Sequence, residues 1–268
     1  MPASGGSWRN NPLVVVVAGG LIVLISMGLR QSFGIFMQPL GCVLGIDRES
    51  FGLAIALQNL MLGLPLAGYL ADRFSARRIV IWGALLYAAS MFLMTRVGGT
   101  PGLLLVLGVL TGTAQSATTF VVVLAAVGRV VEPTRRTLAF GVVTGMGSFG
   151  MFLMVPLANH WLLSGGWGWA FEALAWSALV MVFAAVFLPT QAAGSGSQGL
   201  GLVSLLRSAS GHRGYLMLIS GFFVCGFHVA FIATHLPAYI NDVGVPAIYG
   251  GYAIGLIGAF NILGAVAS

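Results

Sequence analysis

The chain has 268 residues, 58% of them apolar and only 7% charged, and its mean hydropathy is +0.99. Soluble domains run at roughly 45–50% apolar and 25% charged, so this composition excludes a water-soluble domain and fits a multi-pass membrane protein. The net charge of +6 comes from twelve arginines placed singly or in short runs between apolar stretches, a pattern that sets membrane orientation rather than one that binds nucleic acid.

At about 20 residues per span, the length accommodates about eight helices. Residues 1–12 read as a short polar tail. Span 1, residues 13–40, is too long for a signal-peptide core and ends without a small-residue cleavage site. Span 2 is expected at about 50–71, with Ser50 as its cap, and span 3 at about 79–96. The turn Gly98-Gly-Thr-Pro101 leads into span 4 at about 101–127, and a basic loop ending at Arg136 leads into span 5 at about 137–163. Gly165-Gly-Trp-Gly-Trp169 is the next turn, and span 6 runs to about Leu188. A Gly/Ser-rich stretch follows, then span 7 at about 215–240 and span 8 at about 247–268. Cys42 and Cys225 fall at different depths and read as packing residues, not as a disulfide.

With the N-terminus inside, Arg9, Arg73, Arg77, Arg78, Arg129, Arg135, Arg136, Arg207 and Arg213 are cytoplasmic, against Arg48 and Arg96 outside. That asymmetry predicts a cytoplasmic N-terminus in the cell (inner or plasma) membrane.

The segment Gly68-Tyr-Leu-Ala-Asp-Arg-Phe-Ser-Ala-Arg-Arg78, between spans 2 and 3, resembles the loop signature of the major facilitator superfamily of transporters, Gly-x-Leu-x-Asp-Arg-x-Gly followed by basic residues. Gly68, Leu70, Asp72 and Arg73 match, as does the basic pair Arg77-Arg78; Ser75 stands where the family has Gly. The resemblance implies an all-α membrane bundle of twelve helices in two halves. It also implies that Gly68, Asp72, Arg73, Arg77 and Arg78 serve as a latch on the cytoplasmic side. The other reading of the stretch is an ordinary basic loop.

An offset of 198 residues carries Gly28, Phe33 and Pro39 onto Gly226, Phe231 and Pro237, Arg30 onto His228, and Phe51-Gly52 onto Tyr249-Gly250. This internal repeat predicts an N-terminal six-helix half at 13–190, a cytoplasmic linker at 191–214, and the first two helices of a second half at 215–268. The same offset puts a second loop signature just past Ser268. Relative to the family's twelve helices the chain reads as truncated after the eighth.

Arg30 lies about 25 Å along span 1, too deep for a terminal anchor. A charge at that depth costs about 2.5–3.5 kcal/mol on insertion scales and commonly marks a substrate path; its guanidinium presents paired donors suited to a carboxylate. A structural arginine paired with backbone carbonyls is the alternative. His228 and His235 share one face of span 7 and are expected to line the same cavity, binding an anion or relaying a proton, although either also fits helix packing. About 10 Å of helical rise separates them, so they make poor joint metal ligands. Gln115 in span 4 is a further candidate substrate contact. Gln31, Gln38, Gln58 and Asn59 read first as interhelical hydrogen-bonding residues.

The runs Arg30-Gln-Ser-Phe-Gly34 and Phe231-Ile-Ala-Thr-His-Leu-Pro-Ala-Tyr239 resemble the monocarboxylate and oxalate/formate branch of the superfamily. This implies a secondary transporter of a small organic anion, working by alternating access as a proton symporter or an exchanger, with the lipid bilayer and protons as its other partners. Neither an HExxH helix nor a GxSxG elbow occurs, so no enzyme activity, cofactor or metal is expected. The alternative is a non-transporting remnant or a partner-binding membrane protein.

Overall fold

Within a bilayer no water is present to satisfy backbone polar groups, so an open-ended apolar chain crosses as helix. The computed structural model describes residues 11–63, 74–190 and 211–267, and every regular element among them is helical. The expected tail at 1–10, the linker at 191–210, and Gly68, Asp72 and Arg73 of the loop signature lie outside the described residues.

Helix α1 (Pro12–Ser32) runs through a 3-10 turn, Phe33–Phe36, into α2 (Met37–Leu44), making one long first span. Gly45, in the left-handed region at φ 64°, ends it, and α3 (Arg48–Gly63) follows. The α3 cap is Asp47, not Ser50: the Asp47 carboxylate accepts the Ser50 backbone N–H at 3.2 Å. Sequence alone does not distinguish the two, because each is a good capping residue and the choice depends on which one leaves the helical conformation. Hydrogen bonding from Ser50 holds the exposed Asp47 carboxyl below its ordinary pKa.

The third span is α4 (Ala76–Met94). The fourth is assembled from α5 (Gly99–Leu103), a π-helical stretch at Leu104–Leu110, α6 (Thr111–Thr118) and α7 (Phe120–Val130). Helix α8 (Arg136–Ala185) contains two spans, since Gly166 at φ 79° breaks the helix within the expected Gly/Trp turn. Helices α9 (Arg213–Asp242) and α10 (Ile248–Ala267) complete the described chain. Shifting the end of the first span, Leu44, by the repeat interval lands on Asp242, where α9 ends.

Lipid tails are as apolar as the helices, so association depends on close packing at small residues and on hydrogen bonds. A Cβ on Gly150 of α8 would collide with the Leu24 carbonyl of α1, and a Cβ on Gly34 with the Ala233 carbonyl of α9. These two glycines set how near α1 approaches its neighbours. Ser26 of α1 shares a buried hydrogen bond of 2.9 Å with Thr118 at the end of α6. The apolar interior lies among α1, α4, α7 and both halves of α8, and includes Ile22, Leu29, Tyr87, Val123 and Phe171. The cysteines depart from expectation: Cys42 and Cys225 are both exposed, because each falls on a helix face that no described neighbour covers.

The departure at Ser75 has a backbone explanation. This buried residue sits at φ 98°, ψ 142° at the start of α4, a conformation natural for glycine and strained for a residue with a Cβ. The glycine in the family signature therefore answers a conformational demand that Ser75 meets under strain. Replacing Ser75 with Gly is expected to raise stability by about 1–2 kcal/mol, read as an increased thermal midpoint in detergent. Gly150→Val should abolish the monodisperse folded species. By contrast, Gly141→Ala, in a position with nothing within 4 Å of the added Cβ, should be neutral or stabilising by up to about 1 kcal/mol; size-exclusion thermostability assays check both.

Candidate functional site

Between its contacts with α8 and α9, α1 turns Arg30 toward α3. The Arg30 guanidinium donates through Nη2 to Asn59 Oδ1 at 2.5 Å, and Asn59 Nδ2 donates to the Ile55 carbonyl at 2.8 Å. Asn59 thus has its own amide anchored one helical turn back and offers its oxygen to the arginine. The remaining guanidinium donors border a cavity of about 440 Å³ between α1, α3 and α9, which is also lined by Thr234 and His235. A narrow recess of about 20 Å³ adjoins it, lined by Arg30, Gln31, Gln58, Asn59 and Thr234.

The sequence-predicted residues are distributed unevenly about this cavity. Arg30 and His235 line it together. His228 is exposed, its Nδ1 2.9 Å from the Val224 carbonyl oxygen of its own helix, and it is not part of the lining. The shared histidine stripe is corrected to that extent: α9 is buried only at Ala233, Thr234, Pro237 and Ala238, its first half is exposed, and His228 falls outside the face that lines the cavity. Gln115 is fully buried behind the site, its Nε2 donating to the Tyr87 hydroxyl at 3.0 Å. It is not a lining residue either. Arg77 is half-buried and Arg78 exposed at the start of α4.

At the end where α9 terminates, the opening is bridged. Arg48 at the start of α3 makes a bidentate pair with Asp242, both contacts 2.7 Å. Gln38 of α2 donates to Asp242 at 3.0 Å and to the Ala238 carbonyl at 3.1 Å, and accepts from Asn241 at 2.6 Å. Sequence reading gave Gln38 a general interhelical role but did not find this clasp. Its members are about 200 positions apart, and only the repeat, which brings the ends of spans 1 and 7 into correspondence, hinted at their proximity. At the opposite end, where α9 begins, its residues are exposed. Among the described residues, polar contacts bridge the helices around the cavity at the first of these ends and not at the second.

A bundle of apolar spans enclosing a charged cavity at mid-depth defines a polytopic membrane protein with an internal solute-sized site. Residues 19–268 match the family model of the Major Facilitator Superfamily, and the chain belongs to that superfamily. It is 26% identical over 254 residues to the uncharacterized MFS-type transporter YcxA of Bacillus subtilis (strain 168), covering 88% of this chain and 59% of the relative. The chain therefore spans about three-fifths of the length of that curated relative. Its fold is similar to that of a bacterial homologue of the human lysosomal transporter Spinster in an inward-facing, unoccupied conformation, with a TM-score of 0.71, 18% identity, and coverage of 95% of this chain and 60% of the other. It is also similar to a D-xylose–proton symporter, at TM-score 0.64 and 17% identity, over 94% of this chain and 66% of the symporter.

The Arg48–Asp242 pair is solvent-accessible, with side-chain exposures of 59% and 38%, so its coupling should be small. A double-mutant cycle with Arg48→Ala and Asp242→Ala is expected to show only a weak coupling that shrinks further at high salt, as measured by thermal unfolding in detergent.

Proposed function

We propose that the protein is a secondary active transporter of a small organic anion, monocarboxylate-like, operating by alternating access with proton coupling or exchange. The observation that carries this reading is Arg30, a fixed charge within a membrane-spanning segment that is held by Asn59 and lines a cavity between helices. Insertion of such a charge is costly, and a site that accepts an anion gives the cost a use. The carboxylate matches the planar fork of the guanidinium. His235 beside it has the chemistry of a proton relay.

The arginine distribution supports a cytoplasmic N-terminus in the plasma membrane. In that orientation the clasp of Gln38, Arg48, Asn241 and Asp242 lies outside and the cavity opens inward. The segment with Gly68, Asp72, Arg73, Arg77 and Arg78 is then the cytoplasmic latch that closes when the outer clasp releases. His228, near the open end, and Gln115, behind Tyr87, act in this reading as secondary influences on the anion path. A second reading, a partner-binding membrane protein without transport, draws support from the exposed apolar first half of α9.

The test is uptake of labelled small carboxylates by the protein reconstituted in liposomes. Arg30→Ala should reduce uptake by roughly ten- to a hundredfold, the equivalent of one charge-assisted hydrogen-bonding partner, and Arg30→Lys should fall between. A pH gradient should change the rate if protons are coupled. Unchanged transport of every anion tried in Arg30→Ala would overturn the anion-binding role.

A further inference from the structure

Resting on the anion reading above, we propose that the cavity is built for an aromatic monocarboxylate: Gln58 is the second head-group donor beside Arg30, and Phe223, Phe227 and Phe231 form a stacking track for the ring. The head-group argument starts from an unpaired atom. Gln58 is 2% exposed, and its Nε2 has no hydrogen-bond partner among the described residues. A buried amide N–H is ordinarily paired. This one borders the recess of about 20 Å³ that Arg30 also lines, room for about one oxygen-sized group. An acceptor oxygen entering the recess satisfies Gln58, and the adjacent guanidinium makes an anionic acceptor the favoured one. The α3 backbone is fixed here: a Cβ on Gly112 of α6 would lie 2.6 Å from the Gln58 carbonyl oxygen, so Gln58 cannot readily back away from the site.

The tail argument comes from α9. Phe223, Phe227, Phe231 and His235 recur every fourth residue and all line the larger cavity. Their rings follow one another with centroids 6.5, 6.1 and 4.9 Å apart, a run about 18 Å long on the cavity wall that Arg30 also lines. The walls of the gap are small, Gly52 and Ala56 on α3 and Gly226 and Ala230 on α9, which leaves a slot suited to a flat group. Aromatic rings prefer such offset stacking over contact with aliphatic surface alone. Among the described residues, Arg30 is the one permanently charged residue lining either space, so one carboxylate is matched there and a second is not.

The experiment is calorimetric titration of the purified protein in detergent with benzoate, acetate, malonate and benzyl alcohol. Benzoate is expected to bind about tenfold or more tighter than acetate or malonate, with no binding of benzyl alcohol. Phe227→Ala and Phe231→Ala should bring benzoate down to the acetate level while leaving acetate unchanged. Phe222→Ala, at a neighbouring position outside the cavity lining, should change nothing. Gln58→Leu should weaken both carboxylates about tenfold without lowering the thermal midpoint, because the lost amide nitrogen had no partner. A lowered midpoint with affinity intact would make Gln58 structural and overturn its role. Arg30-dependent binding without a preference for benzoate overturns the aromatic proposal alone. Absence of carboxylate binding, or binding that survives Arg30→Ala, overturns the anion reading beneath it.

Discussion

The close approach of α1 to two neighbours is the constraint on which the rest of the bundle depends. Gly28 and Gly150 sit where α1 crosses α8, and Gly34 presses against the Ala233 carbonyl of α9. Apolar helices gain little by leaving lipid for each other, so these contacts depend on backbones coming within side-chain-free distance. Arg30 lies between the two crossings. The same seven-residue stretch therefore fixes the bundle and aims its charge, and Asn59 on α3 supplies the partner that holds the guanidinium in place.

The position of α9 follows from where it is held. Gly34 and the Gln38–Arg48–Asn241–Asp242 clasp secure its second half, while its first half is exposed. A helix anchored at one end can pivot about that anchor with little change in its packing. The clasp is polar and solvent-accessible, the kind of contact that adds little to stability.

Much of the fold was legible in the chain. Hydropathy placed the described helix ends to within a few residues, since each span must be long and apolar enough to cross; the expected end of span 2 lies outside the described residues. The Gly/Trp turn at 165–169 contains the break at Gly166. Ser75 stood out against the loop signature, and its backbone angle supplies the reason. The depth of Arg30 was visible from its distance into the first apolar run. Less visible were Gln58 and Asn59, which look alike as adjacent polar residues in an apolar helix; Asn59 holds Arg30, while the Gln58 amide nitrogen has no partner among the described residues. The fourfold spacing of Phe223, Phe227, Phe231 and His235 was present in the sequence as a pattern, but nothing in the pattern said which neighbour it faced.

By itself the sequence determined that the chain is helical, membrane-spanning and of the major facilitator type, because composition, span length and a local loop signature are properties of contiguous residues. Tertiary structure decided that His235 and not His228 shares a cavity with Arg30, that Gln115 lies behind the site, and that Asp242 closes one end against Arg48. Those outcomes depend on the tilt of α9 relative to α1 and α3. Helical periodicity specifies which residues share a face, whereas the tilt, set by backbone contacts between residues about 200 positions apart, determines how much of that face meets the bundle.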